Sequence, residues 1–309
     1  MFGDDIPEPR ELLAPGERFA GYVVRGVLGA GGSSEVYLAD DPRESRPVSL
    51  KVLELAESRI PAVRAGFLHE FDILSAVRHP TIVRMYAHGE YGGRLWSAHE
   101  YVDGDTAAIL TPAPHHNPDL SRVLAVLTDI AEGLDHIHGC GIVHLDVKPA
   151  NFLVPRTGPV TAKLSDFGTA RWLDRPEPPL VVDGRVVGSL PYAAPELVRG
   201  QRVSAATDQY ALACSAVELL TGRPPFPEPN PTMVADAQAH KPPPDVSGRR
   251  HWIPHAVDAV LDRALAKDPA ARYDSCKEPI RLIARALHDI RPVAEHRTHF
   301  RLGFHSHPW

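Results

Sequence analysis

"IVHLDVKPANFLV", residues 142 to 154, sets a carboxylate (Asp146), an ammonium (Lys148) and a carboxamide (Asn151) within six positions, between apolar runs that would bury their flanks. Asp146 is a candidate base for a hydroxyl proton, and Lys148 a point charge for a transferring phosphoryl group. Asn151 offers a carbonyl oxygen, a hard ligand suited to Mg²⁺. Fifteen residues beyond Asn151, "LSDFGTA" supplies Asp166 as a second hard ligand, followed by a glycine that frees the backbone to turn.

Working outward, the 309 residues are enough for two modest lobes with a sizeable core. With 33 Lys+Arg against 39 Asp+Glu the net charge is -6, so no basic excess calls for nucleic acid or an anionic membrane. No apolar run approaches the roughly 18 residues of a spanning helix. The opening "MFGDDIPEPR" lacks the charged and apolar regions of a signal peptide, and a cytoplasmic chain is expected. Cys140, Cys214 and Cys276 form no CxxC, which suits reduced, mostly buried thiols better than a disulfide framework or a zinc site.

The first half reads as strands. Residues 21 to 41 hold two β-rich runs joined by glycines, and in 46 to 55 Val48, Leu50 and Val52 alternate with Ser49, Lys51 and Leu53. A helix follows on Phe67, Phe71, Leu74 and Val77, stopped by His79-Pro80, and two more strands are expected at 82–87 and 94–102. Helices then dominate. One is expected to open at Asn117 as its cap with Pro118 in the first turn, a second (207–222) is apolar nearly all round and closed by Gly222, and a third spans 255–269 with a proline stop. A small β-rich lobe therefore precedes a larger helical one.

In "LGAGGSSEVYLA" (28 to 39), the glycines at 29, 31 and 32 between two strands let backbone N–H groups approach an anion, although a plain hairpin loop has the same composition. Lys51 lies on the strand face shared with Ser49. Glu70 stands on the apolar stripe of its helix, where a carboxylate either pairs with a cation, Lys51 being the nearest candidate, or turns to solvent.

Taken together, loop 29–34 with Val36, Lys51, Glu70, His144 to Asn151, Asp166-Phe167-Gly168, Ala194-Pro195-Glu196 and Asp208 resemble a protein kinase, most closely the bacterial eukaryotic-like Ser/Thr kinases. The resemblance implies an α+β, bilobal fold with a small antiparallel β-rich N-lobe carrying one main helix and a larger, mainly helical C-lobe. The implied layout is a leader (1–16), a kinase domain (17–290, with N-lobe 17–99, hinge 100–104 and C-lobe 105–290) and a His-rich tail (291–309). It also implies ATP and Mg²⁺ as cofactors and Ser/Thr-bearing proteins as substrates. Lys51 paired with Glu70 would hold the α and β phosphates under Leu28, Gly29, Ala30 and Gly31, while Asn151 and Asp166 would hold Mg²⁺. Asp146 would take the hydroxyl proton and Lys148 would face the γ-phosphoryl group. Adenine would sit between Val36 and Ser49 above and Leu153 below, with backbone groups of Glu100 and Val102 as hinge partners.

Four departures stand out. Ser34 replaces the third loop glycine and Ser49 the usual alanine. His99 occupies the gatekeeper position, where it is expected to shape the back pocket, a pH-sensitive nucleotide site being the weaker alternative. Leu145 replaces the arginine that such kinases pair with an activation-loop phosphate. Between Phe167 and Glu196 the only hydroxyls are Thr169, Ser189 and Tyr192, inside the anchoring motifs, so an active state independent of loop phosphorylation is expected. "LVVDGRVV" (180 to 187) reads as a hairpin whose packed valines could order the loop instead, with a mobile loop as the alternative. The histidines at 296, 299, 305 and 307 match no metal spacing and read as a solvated tail. The rival reading from another class is a pseudokinase-type nucleotide-binding scaffold. A small-molecule phosphotransferase is disfavoured by Glu196 and its expected partner Arg272.

Overall fold

Apolar alternation builds the first lobe. The computed structural model describes residues 12–31, 34–158, 161–175, 181–182, 185–186 and 188–292. Strands β1 (Arg18–Phe19), β2 (Tyr22–Ala30), β3 (Ser34–Asp41), β4 (Arg46–Leu53), β5 (Met85–Tyr91) and β6 (Arg94–Glu100) pair antiparallel in the order β1-β2-β3-β4-β6-β5. Val48, Leu50 and Val52 are fully buried with Tyr22, Tyr37 and Ala98, while Ser49 and Lys51 lie half-buried on the opposite face. A one-residue slip would exchange the two faces, which is why this register is well specified.

After the short helix α1 (Leu55–Ser58), α2 (Pro61–Ala76) begins with proline in its first turn, where the missing N–H costs nothing. Its buried face is Phe67, Glu70, Ile73 and Leu74, spaced as one helical stripe. Phe67 packs with Leu53 and Leu95 of the sheet, whereas Ile73, Leu74 and Val77 join the core of the second lobe. One helix thus touches both lobes. The strand expected at 82–87 starts only at Met85, because Ile82 forms a parallel bridge with Leu164 and Val83 N–H donates to the Leu164 carbonyl at 2.9 Å. The second lobe claims that segment first.

Beyond Glu100 come the short strands β7 (Gly104–Thr106), β8 (Ile142–Val143), β9 (Phe152–Pro155), β10 (Lys163–Leu164), β11 (Arg171–Trp172), β12 (Val181–Val182) and β13 (Arg185–Val186), pairing as β10-β9-β7, β11-β8 and β12-β13. Gly104 is required where β7 meets β9, since a Cβ there would lie 2.0 Å from the Val154 carbonyl oxygen. The β12-β13 pair is the hairpin read from "LVVDGRVV". Its turn at 183–184, the packing of its valines and the tail histidines lie outside the described residues.

The helices are α3 (Leu120–Gly139), α4 (Pro195–Val198), α5 (Ala205–Thr221), α6 (Pro231–His240), α7 (Val246–Arg249), α8 (His255–Ala264) and α9 (Lys277–Ala286). The expected cap at Asn117 is incorrect: Asp119 caps α3, its carboxylate accepting the Arg122 N–H at 3.1 Å. Ser204 and Thr207 form a capping box on α5, and Gly222, at φ 90°, closes it through an N–H bond to the Glu218 carbonyl. Helix α5 is buried along nearly its whole length, as expected of a central helix. Helix α8 ends at Ala264, well before the proline assigned to stop it. Of the three free cysteines, Cys214 and Cys276 are buried and Cys140 is exposed, in line with mostly buried, reduced thiols.

Glu196, at the start of α4, makes a two-pronged ion pair with Arg272 at 2.8 and 2.9 Å, both residues 2% exposed. Arg272 also donates to the carbonyls of Ala206 and Ala266, and Thr207 Oγ1 donates to Glu196. Arg272→Ala leaves a buried carboxylate without its cation and should lower unfolding free energy by about 3–5 kcal/mol in urea titrations. A loss below about 1 kcal/mol, the scale of exposed pairs, would show that water replaces the guanidinium.

Candidate active site

Strand β8 ends at Val143, and the loop that follows is held by one buried acid. Asp208, fully buried on α5, accepts backbone N–H bonds from His144 (Oδ2, 2.8 Å) and Leu145 (Oδ1, 2.8 Å), and a third bond from His138 Nε2 at 2.8 Å. Burial pushes the Asp208 carboxyl up, but these donors, led by His138, more than offset it and hold it below its ordinary value. Leu145 consequently sits in the left-handed region (φ 66°), a conformation that a branched side chain adopts only under constraint. Its side chain is 4% exposed. His144 meets the Phe167 ring edge-on at 4.7 Å and reaches the Ser165 carbonyl with Nε2.

The loop brings Asp146, Lys148 and Asn151 together. Asp146 Oδ2 accepts from Lys148 Nζ at 2.7 Å and Asn151 Nδ2 at 3.0 Å, while its buried Oδ1 has no hydrogen-bond partner among the described residues. Asn151 Nδ2 also donates to the Asp146 carbonyl at 2.8 Å, so its amide oxygen is the atom left to act as a ligand. Burial raises the Asp146 carboxyl, yet hydrogen bonding led by Lys148, with the Lys148 charge, outweighs it and keeps the group below its usual range. Asp146 is therefore an ionised acceptor at neutral pH.

On the facing lobe, Lys51 Nζ lies 3.5 Å from Glu70 Oε2, which settles Glu70 as a buried partner rather than a solvated residue. The Glu70 carboxylate raises the Lys51 pKa against the cost of burial, with Asp166 adding to it. Asp166 is exposed to the cleft at φ 61°, and a Cβ on Gly168 would stand 3.4 Å from its Oδ1 and 3.8 Å from Glu70 Oε2. The metal-ligand candidate and the ion pair thus share one cleft. Val36 pairs with Lys51 and with Gly29, Ser49 with His99, and Leu153 with Thr106. Val36, Ser49, Lys51, His99, Thr106 and Leu153 are half-buried, and Leu28, Gly29, Ala30 and Gly31 are exposed. Strand β6 ends at Glu100, whose N–H bonds to the Arg84 carbonyl, and Val102 follows in the connection to β7.

Each hydroxyl between Phe167 and Glu196 is already bonded. Thr169 Oγ1 donates to the His144 carbonyl at 2.9 Å, Ser189 Oγ accepts from Lys148 Nζ at 2.7 Å, and Tyr192 OH donates to Glu218. Gly188 (φ 93°) lies against the catalytic loop, where a Cβ would meet the Leu145 carbonyl at 2.5 Å.

Comparison with known proteins agrees with this geometry. The family model described as protein kinase domain matches residues 22–280. The chain belongs to the protein kinase family. It is 40% identical over 280 residues to the serine/threonine-protein kinase PknJ of Mycobacterium tuberculosis, covering 89% of this chain and 47% of that protein. It is 39% identical over 280 residues to PknF of the same species, covering 89% of this chain and 58% of that protein. The chain thus spans about half the length of the curated relatives it matches. A crystal structure of the M. tuberculosis PknI kinase domain superposes with a TM-score of 0.69 at 34% identity, over 90% of this chain and all of that one.

Sequence reading of this kinase chain missed His138 as a partner of Asp208 and Glu218 as the partner of Tyr192, because the paired residues lie far apart in the chain. It also left His99 open. His99 Nε2 bonds to Ser97 Oγ at 2.8 Å, and burial, then the Lys51 charge, pushes its pKa down to about 3. A ring that stays neutral from about pH 5 to 8 cannot switch a nucleotide site there, so the pH-sensing alternative is set aside. Unfolding lets this group return toward 6.5, so the unfolded chain binds the extra proton and His99 lowers stability as pH falls through 6.5 toward 3. His99→Leu should therefore flatten the acid side of the stability curve measured by urea titration at stepped pH, and leave the pH profile of nucleotide affinity unchanged. An unchanged stability slope would mean that His99 protonates normally.

Proposed function

We propose that this chain is a serine/threonine protein kinase that transfers the γ-phosphoryl group of ATP to protein hydroxyls. The observation that supports the reading is that the Asp146–Lys148–Asn151 cluster is joined to Asp166 and its neighbouring Lys51–Glu70 pair through Ser165, whose N–H and Oγ both donate to the Asn151 carbonyl. Two oxygen donors, Asn151 Oδ1 and the Asp166 carboxylate, suit a hard cation. Asp146, whose Oδ2 is held by Lys148 and Asn151, suits the role of carboxylate toward an incoming hydroxyl. Mg²⁺ with ATP, when bound, would supply charge neutralisation on the phosphates.

In this reading the protein's own work is positioning. Lys51, braced by Glu70, holds phosphate oxygens beneath residues 28–31. Val36, Ser49 and Leu153 clasp the base, and Glu100 and Val102 meet its edge. Asp146 is a weak base because its carboxyl lies below the ordinary range, so it orients the hydroxyl and takes its proton only as the phosphoryl group departs for it. Lys148, bonded to both Asp146 and Ser189, ties the acceptor site to the activation segment and faces the developing charge.

We further propose that activity does not need activation-loop phosphorylation. Leu145 offers no guanidinium for a phosphate, its backbone is held by Asp208, and the three loop hydroxyls are engaged in other bonds. A cytoplasmic location is part of the proposal, and it is compatible with the described residues, among which no helix is long and apolar enough to cross a membrane.

Radiolabelled ATP with a generic Ser/Thr protein acceptor tests the activity. Asp146→Asn should lose about 10²–10⁴-fold in kcat while retaining nucleotide binding. Nucleotide binding with no transfer by the wild type would instead support the scaffold alternative. Phosphatase-treated wild type should keep its initial rate. A large loss restored on rephosphorylation within residues 169–192 would overturn independence from the phosphate switch.

A further inference from the structure

Away from the cleft, Asp135 and His138 stand three residues apart on one face of α3, against Cys276 at the N-cap of α9. One ligand atom from each lies within 4.8 Å of the others, and this is the only such group of three among the described residues. Because the fully buried Asp208 carboxylate accepts from His138 Nε2, that nitrogen carries the proton and Nδ1 keeps its lone pair. Nδ1 faces Cys276 Sγ at 4.0 Å. A carboxylate on the far nitrogen of a histidine is the arrangement that orients and strengthens a metal-ligating imidazole.

We propose that Asp135, His138 and Cys276 form a zinc site, with water in the fourth position. Tetrahedral zinc, with bonds of about 2.0–2.3 Å, holds adjacent ligand atoms about 3.3–3.7 Å apart. The sulfur–nitrogen pair needs to close by only a few tenths of an ångström, and the widest separation by about one. Asp135 Oδ1 and Oδ2 already accept the N–H groups of Cys276 (2.7 Å) and Lys277 (3.2 Å), and each oxygen retains a second lone pair. Cys276 is 1% exposed and the His138 side chain 10%, so both ligand atoms lie inward from the surface.

On binding, the thiol releases its proton to solvent and Sγ bonds to the ion. Thiolate and carboxylate together then cancel its two positive charges. Sulfur and imidazole favour zinc over the Mg²⁺ proposed for the cleft. The site reaches the catalytic loop in two steps, since the histidine it would ligate holds the same Asp208 that fixes His144 and Leu145.

The test uses the full, untagged chain with His296, His299, His305 and His307 replaced by alanine, so that the tail contributes no ligands. Equilibrium dialysis against Zn²⁺ should find one ion per chain. Co²⁺ used as a probe should give a near-ultraviolet thiolate charge-transfer band. Cys276→Ser, nearly equal in size and checked for folding by circular dichroism, should abolish the band. Asp135→Asn should weaken binding at least about tenfold, and Cys140→Ala should change neither readout. Absence of saturable binding, or a band that survives Cys276→Ser or disappears with Cys140→Ala, would overturn the site. None of these readouts involves phosphoryl transfer, so the proposal stands or falls separately from the kinase activity.

Discussion

The carboxylate of Asp208 is the constraint on which the catalytic loop depends. It is fully buried and accepts three hydrogen bonds, two of them from consecutive backbone N–H groups that a loop could not otherwise satisfy away from water. Holding those two groups forces Leu145 into a left-handed conformation, and that turn sets the direction in which Asp146 leaves the loop. Helix α5 can supply such an anchor because it is buried nearly all round and capped at both ends, which packs the acid into the core.

The first lobe is positioned by different physics. Helix α2 packs Phe67 on the sheet and Ile73, Leu74 and Val77 on the helical lobe, so the orientation of Glu70 is fixed by apolar contacts on both sides. The ion pair with Lys51 then needs little further ordering. Its carboxylate is buried and its ammonium only partly so, which leaves the cation available to oxygen atoms in the cleft.

At Leu145 an apolar residue is buried where similar kinases place a guanidinium, and the loop hydroxyls are turned inward to carbonyl, ammonium and carboxylate partners. The close approach of Gly188 to the Leu145 carbonyl joins the far end of the activation segment to the same loop. On the reading proposed above, packing and these hydrogen bonds take the place of the order that a phosphate would supply by charge.

Much of this was legible in the residues. Alternation in β4 placed Lys51 and Ser49 on one face and the stripe on α2 placed Glu70, whereas the turn at Pro149–Asn151 is what folds Asn151 back onto Asp146. Periodicity and spacing are local properties, so they marked out these elements and the two lobes, while the roles of the cleft residues came from the resemblance to protein kinases. What the sequence left open was every relation between distant segments. Whether Glu70 paired or faced water, where the 82–87 strand began and that His138 held Asp208 were all decided by tertiary packing. The same holds for Cys276, which shares no spacing pattern with Asp135 and His138 and meets them only because α9 docks on α3. Partner choice across more than a hundred residues is set by which faces bury together, and a linear pattern carries no record of that.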